Sequence, residues 1–219
     1  MYVHDHRLFE GDGTPVPLQL SPNHGGALTP LFLVVHYSAT LSLQSTVGWF
    51  RGAAAGASAH LVVGRQGEVV QMVPFDQRAW HAGVSRWGPL DNLNSHSIGI
   101  ELINAGGLDA SGAGWVDWAR NPIADDDLVV ARHRHQATAR GWQRFPQLQI
   151  ARATEIAQAL HRAYRFLDVL GHDDVSPHRK MDPGPAFPME HFAAVVLGRP
   201  PQPRVSPESH DGRPANPAP

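Results

Sequence analysis

The chain has 219 residues and a formal net charge of -2, so nothing in its overall charge draws it toward nucleic acid or an anionic membrane. It contains no cysteine, which excludes disulfides and thiolate ligands and leaves His, Asp and Glu as the ligand types for any metal. A chain of this length buries roughly 70% or more of its unfolded surface, enough for one domain with a full core.

The first stretch, MYVHDHRLFEGDG, lacks the basic start and continuous apolar run of a secretion signal. No later apolar run approaches the ~20 residues that span a bilayer. No membrane insertion is expected; the cytoplasm is the default location, with export or delivery to the cell wall as the open alternative. Residues 1–30 read as an N-terminal extension to a domain over 31–198. From Leu31, the run LFLVV predicts a strand buried on both faces, with His36 at its end. SLQSTVGWF offers Ser and Thr caps and an apolar pair, Val47 and Phe50, for a short helix. AHLVVGRQGEVVQMV predicts a hairpin around Arg65-Gln66-Gly67. SIGIELIN predicts another strand, and places Glu101 between Ile100 and Leu102.

The segment from Asp109 to Asp127 has no clean period and reads as an insertion or the rim of a groove. Gln147 to Leu167 carries Ala153, Ile156, Ala157, Leu160, Ala163, Tyr164 and Leu167 at the three-and-four spacing of a core-facing helix. Pro188 can open a last short helix with Phe192, Val195 and Val196 on one side and Gly198 at its end. Residues 199–219 are rich in Pro and polar groups, with too little to bury to offset the entropy of ordering, so a disordered tail is expected. Alternating strands and helices place the chain in the α/β class.

The densest chemistry lies in GHDDVSPHRKMDPGPAF, Gly171 to Phe187. Its prolines forbid a continuous helix, so its side chains must be fixed by something else, and a metal ion is one candidate. His36, His172 and Asp182 are possible ligands; equally, His36 could be a hydrogen-bonded core histidine and Asp182 a turn residue before Pro183. Glu101 among apolar neighbours is costly to hide unless paired or functional, although strict alternation would also let it face solvent.

VVHYSAT, SAHLVVGRQGEVVQMVPFDQRAWHAG, SIGIELIN and GHDDVSPHRKMDPGPAF occur in the order found in type-2 N-acetylmuramoyl-L-alanine amidases, and together the chain closely resembles that family. The family also takes in phage lysozyme-type amidases and peptidoglycan recognition proteins. The resemblance implies a single α/β domain with a mixed central β-sheet flanked by helices. It implies one zinc ion on His36, His172 and Asp182, with Glu101 and Lys180 as the catalytic pair. The substrate it implies is peptidoglycan or a muropeptide, cut between N-acetylmuramic acid and L-alanine. Ala59 stands where some phage and animal members carry a catalytic tyrosine, which shifts proton transfer onto Glu101. His60 is expected to be structural or groove-lining, and Trp80 and His81 to line the groove or fill core. His178 is expected to be exposed, and His133 with His135 to form a solvated basic face or an adventitious metal patch. A non-catalytic wall-binding module and a zinc peptidase acting within the stem peptide are the two rival readings.

Overall fold

The computed structural model describes residues 1–112 and 114–202. Its centre is a five-stranded sheet in the order Asp168–Gly171, Phe32–Tyr37, Ser97–Leu102, Leu61–Val63, Val69–Gln71. The first four strands run parallel and the last returns antiparallel through the expected hairpin, so the sheet is mixed. Alternation along the strands divides the side chains between two faces. Leu33, Val35, Ile98, Ile100 and Leu102 face a core completed by two helices, α2 (Gln147–Tyr164) and α4 (Met189–Leu197). Phe32 and Val34 face the other way, against Ala82, Leu93 and Leu170. On that same side helix α1 (Leu43–Arg51) packs Val47 and Phe50 against Val62 and Val70.

The local chemistry explains where the helices stop. Ser42 caps α1 by accepting a hydrogen bond from the Ser45 amide at 3.2 Å. Gly198 ends α4 with φ of 63°, a left-handed conformation that glycine adopts without a Cβ clash. Helix α2 ends three residues earlier than the periodicity suggests. Arg165 turns left-handed and Leu167 lies 64% exposed, because the chain must swing into the Asp168–Gly171 strand. In α4, Val195 points outward at 38% exposure while Phe192, Ala193 and Val196 are buried.

Two regions differ from the sequence reading. Residues 1–30 are woven into the core: Leu8 and Val16 are fully buried in it, the Leu8 amide bonds Gln71 Oε1 at 3.0 Å, and His24–Ala27 pairs with Gln77–Ala79. The aperiodic stretch 109–127 belongs to a second, antiparallel sheet in the order Pro122–Ile123, Gly114–Val116, Gly107–Ser111, Ala139–Gln143, Leu128–Arg132. Its strands are two to five residues long and carry few buried apolar side chains, so no period develops. The tail expected to be disordered lies, from residue 203 on, outside the described residues. Among those described, no helix is long and apolar enough to cross a membrane.

Candidate metal centre and catalytic cleft

Two of the candidate ligands sit at the carboxyl ends of neighbouring parallel strands. His36 is the fifth residue of Phe32–Tyr37, and His172 follows Asp168–Gly171 directly, opening the single turn α3 (His172–Val175). Those two strands pair through Gly171 and Val35. Asp182 is brought back to them by the loop, whose closure is held by the Asp173 amide donating to the Asp182 carbonyl at 2.9 Å. His36 Nδ1, His172 Nδ1 and Asp182 Oδ2 lie 2.9 Å from one another, all three residues buried.

The electrostatics favour a cation there. Burial, then the neighbouring His172, push His36 down to about 4, so its ring is neutral at neutral pH; Asp182 opposes this less strongly. Burial works to raise the Asp182 carboxyl, but the imidazoles of His172 and His36, each 2.9 Å from its Oδ2, outweigh it and hold the group below its ordinary range. Two imidazole nitrogens and one carboxylate oxygen converge on one point. That donor set, nitrogen and oxygen without sulfur, suits a divalent ion such as zinc, and three ligands leave a position open.

Glu101 lies on the next strand, in direct register with His36 and on the same face. It is 8% exposed, and among the described residues its carboxyl has no hydrogen bond or ion pair. Burial and then Asp182 raise its pKa well above the ordinary carboxylate value, with Lys180 opposing. The Lys180 ammonium likewise has no hydrogen bond or ion pair among the described residues. Both open into one cleft of about 380 Å³ that also exposes His36, His172 and Asp182. A larger depression of about 990 Å³, between Arg132 and His191, contains none of the three donors.

The remaining sequence candidates divide. Trp80 is 42% exposed on the cleft wall, which is also lined by Trp49 of α1, 60% exposed and passed over by the sequence reading. His60 is fully buried and serves the backbone: Nε2 meets the Gln77 carbonyl at 2.9 Å and Nδ1 accepts from the Gly99 amide at 3.0 Å. It does not line the cleft. His81 reaches the cleft, yet both its ring nitrogens are engaged inside the protein, at 3.0 Å from His36 Nε2 and 3.2 Å from the Ser97 carbonyl. Neither nitrogen is left for a sugar or peptide.

The expectation of a solvated face at His133 and His135 is corrected. His133 is 2% exposed, 3.0 Å from Asp173 Oδ2, and stacks on Trp142 of the second sheet. Arg134 beside it grips Asp173 at 3.0 Å and Asp174 at 2.7 Å. This network ties the second sheet to α3, and so to the candidate ligand His172. Removing one partner of a buried ion pair costs about 3–5 kcal/mol. Because the Arg134 side chain is 33% exposed, the expected cost of Arg134→Ala is smaller, about 1–3 kcal/mol. Thermal unfolding checks it, at about 2–4 °C per kcal/mol for a chain of this size. An unchanged melting temperature refutes the role.

Comparison with known proteins agrees with this geometry. The sequence profile of a family described as N-acetylmuramoyl-L-alanine amidase matches residues 26–185. The chain is 30% identical to the 1,6-anhydro-N-acetylmuramyl-L-alanine amidase AmpD of Escherichia coli K12, over 77% of this chain and 83% of that protein. It is 36% identical to AmpD of Enterobacter cloacae, over 64% of this chain and 57% of that protein. Among solved structures, a selenomethionine derivative of AmpD superposes with a TM-score of 0.63 at 26% identity, covering 90% of this chain and 99% of that one. The E. coli amidase AmiD, in complex with anhydro-N-acetylmuramic acid-L-Ala-D-γ-Glu-L-Lys, superposes with a TM-score of 0.59 at 25% identity, covering 90% of this chain and 68% of that one. With the profile spanning most of the chain and its motifs folded around one donor triangle, the chain belongs to the type-2 N-acetylmuramoyl-L-alanine amidase family.

Proposed function

We propose that this chain is a zinc amidase that hydrolyses the bond between the lactyl group of N-acetylmuramic acid and the L-alanine of a stem peptide, with soluble anhydromuramyl peptides among its substrates. The observation that carries the reading is the convergence of His36, His172 and Asp182 with Glu101 and Lys180 in one cleft. His36, His172 and Asp182 hold the ion; zinc so bound supplies Lewis acidity that polarises the scissile carbonyl and acidifies water. Glu101, one strand away, takes a proton from the attacking water as its oxygen bonds the lactyl carbon. The carbon–nitrogen bond then breaks, and Glu101 returns that proton to the departing L-alanine amine. Lys180, two residues before ligand Asp182, offers its charge to the oxygen that becomes negative.

The substrate that AmiD holds in its solved complex is the natural first assay. Mass spectrometry of the digest distinguishes the readings: an intact stem beginning at L-alanine, with a free lactyl carboxylate, supports the amidase. A stem split between amino acids supports a peptidase, and binding without products supports a wall-binding module. Lys180→Ala is expected to retain zinc and lose about 10²–10³-fold in kcat, the usual worth of one donor to a developing oxyanion. Loss of zinc in that variant would recast Lys180 as a support of the site.

A further inference from the structure

An imidazole can present Nδ1 to a cation only when its own proton sits on Nε2. For His36 that placement is set from outside the metal triangle. The Ser97 carbonyl can only accept a hydrogen bond, so His81, 3.2 Å away through Nε2, must donate to it. The His81 Nδ1 is then a bare lone pair, and it lies 3.0 Å from His36 Nε2. His36 must donate there, which turns its Nδ1 lone pair toward His172 and Asp182.

The relay is held rigidly. A Cβ at Gly99 would stand 2.4 Å from Cγ of His81, so glycine in the central strand is what admits the ring. Asn94 Oδ1 accepts the amides of both His81, at 3.0 Å, and Ala82, at 2.7 Å. The Ala82 carbonyl in turn takes the Nε2 proton of His172 at 3.1 Å, and Arg179 pins the same carbonyl at 2.9 Å. Two successive residues, fixed by one asparagine, thus fix the proton on both histidines of the triangle.

We propose that His81 is a positioning residue: its Nδ1 orients His36 and sets the tautomer that leaves Nδ1 of His36 open to the metal, while Asn94 locks the turn that does the same for His172. The inference rests on the zinc reading of the triangle. An imidazole that only filled space would be replaceable by a side chain of similar bulk, and that difference is measurable.

Zinc affinity of the full-length parent, His81→Leu and His81→Asn is measured by competition with a chromogenic chelator, with melting temperatures alongside. His81→Leu keeps bulk and removes the acceptor, and is expected to bind zinc about 10–100-fold more weakly while still folded. His81→Asn places an amide oxygen where Nδ1 lies and is expected to recover most of that affinity. A folded leucine variant that binds zinc as tightly as the parent overturns the proposal. Should the leucine variant not fold, NMR of the zinc-loaded parent with isotope-labelled histidine decides: a His81 protonated on Nε2 supports the relay, and one protonated on Nδ1 overturns it. A parent that takes up no zinc removes the functional reading and this one together, which separates the two failures.

Discussion

Glu101→Ala, folded and zinc-loaded, is expected to hydrolyse anhydromuramyl peptide about 10²–10⁴-fold more slowly than the parent, the usual worth of general acid-base assistance. Zinc should remain bound, because the carboxyl stands beside the donor triangle and outside it. The acidic limb of the pH–rate profile should disappear with the side chain if Glu101 is the base. Hydrolysis at the parent rate by this variant would end the assignment. The buried carboxyl also makes a thermodynamic prediction for the metal-free chain. Burial raises its folded-state pKa. A carboxyl so shifted contributes its stability below the unfolded value, about 4.3, and loses it as pH climbs through the raised folded value. Glu101→Gln, which cannot ionise, should therefore melt higher than the parent at neutral pH in the presence of chelator, and the gap should close in acid. Parallel melting curves across that range would show the carboxyl to be solvated.

Loss of a ligand is expected to cost more still. Asp182→Ala leaves two imidazoles and removes the one negative donor, so zinc should dissociate in dialysis and turnover should fall to background. The fold has reason to survive this change, since the loop closure that joins Asp173 to residue 182 runs through the backbone carbonyl and not the carboxyl. Chelation of the parent should reproduce the loss, and added zinc should reverse it. Metal analysis alongside the assay is decisive: full activity in demonstrably metal-free protein would sink the zinc mechanism, and tight zinc in the alanine variant would remove Asp182 from the ligand set.

The central strands and the longest helix were legible because each buries a repeating pattern: LFLVV on two faces, Gln147 onward on one. The donor triangle was legible because its members lie in short motifs whose order is itself a signature. What escaped the sequence was the scaffold that connects them. Asn94 touches His81 and Ala82 across thirteen and twelve residues of irregular chain, and no periodicity marks such a contact. His133 reads as part of a basic surface because Arg132 and Arg134 flank it, yet, just past the end of the strand Leu128–Arg132, it turns inward to an aspartate forty residues away. The second sheet hid for the same reason that it is stable: its antiparallel strands are held by pairing with one another more than by apolar burial, and pairing leaves little trace in composition.

The direct register of Glu101 with His36 has a consequence for how the molecule is made. Neighbouring strands sit ~4.8 Å apart, so the spacing of these two groups is written into backbone hydrogen bonds and not into side-chain rotamers. A slip of one residue would turn Glu101 to the opposite face, where Ile100 and Leu102 pack against α2 and α4. His36, His172 and Asp182 lie on other segments and could still gather. With zinc on the triangle and Glu101 as the base, as proposed above, such a mispaired molecule would carry its metal and do no chemistry. Catalytic turnover divided by zinc content is accordingly a measure of refolding fidelity, reading out whether the central strand has found its proper partner in a way that metal uptake alone does not.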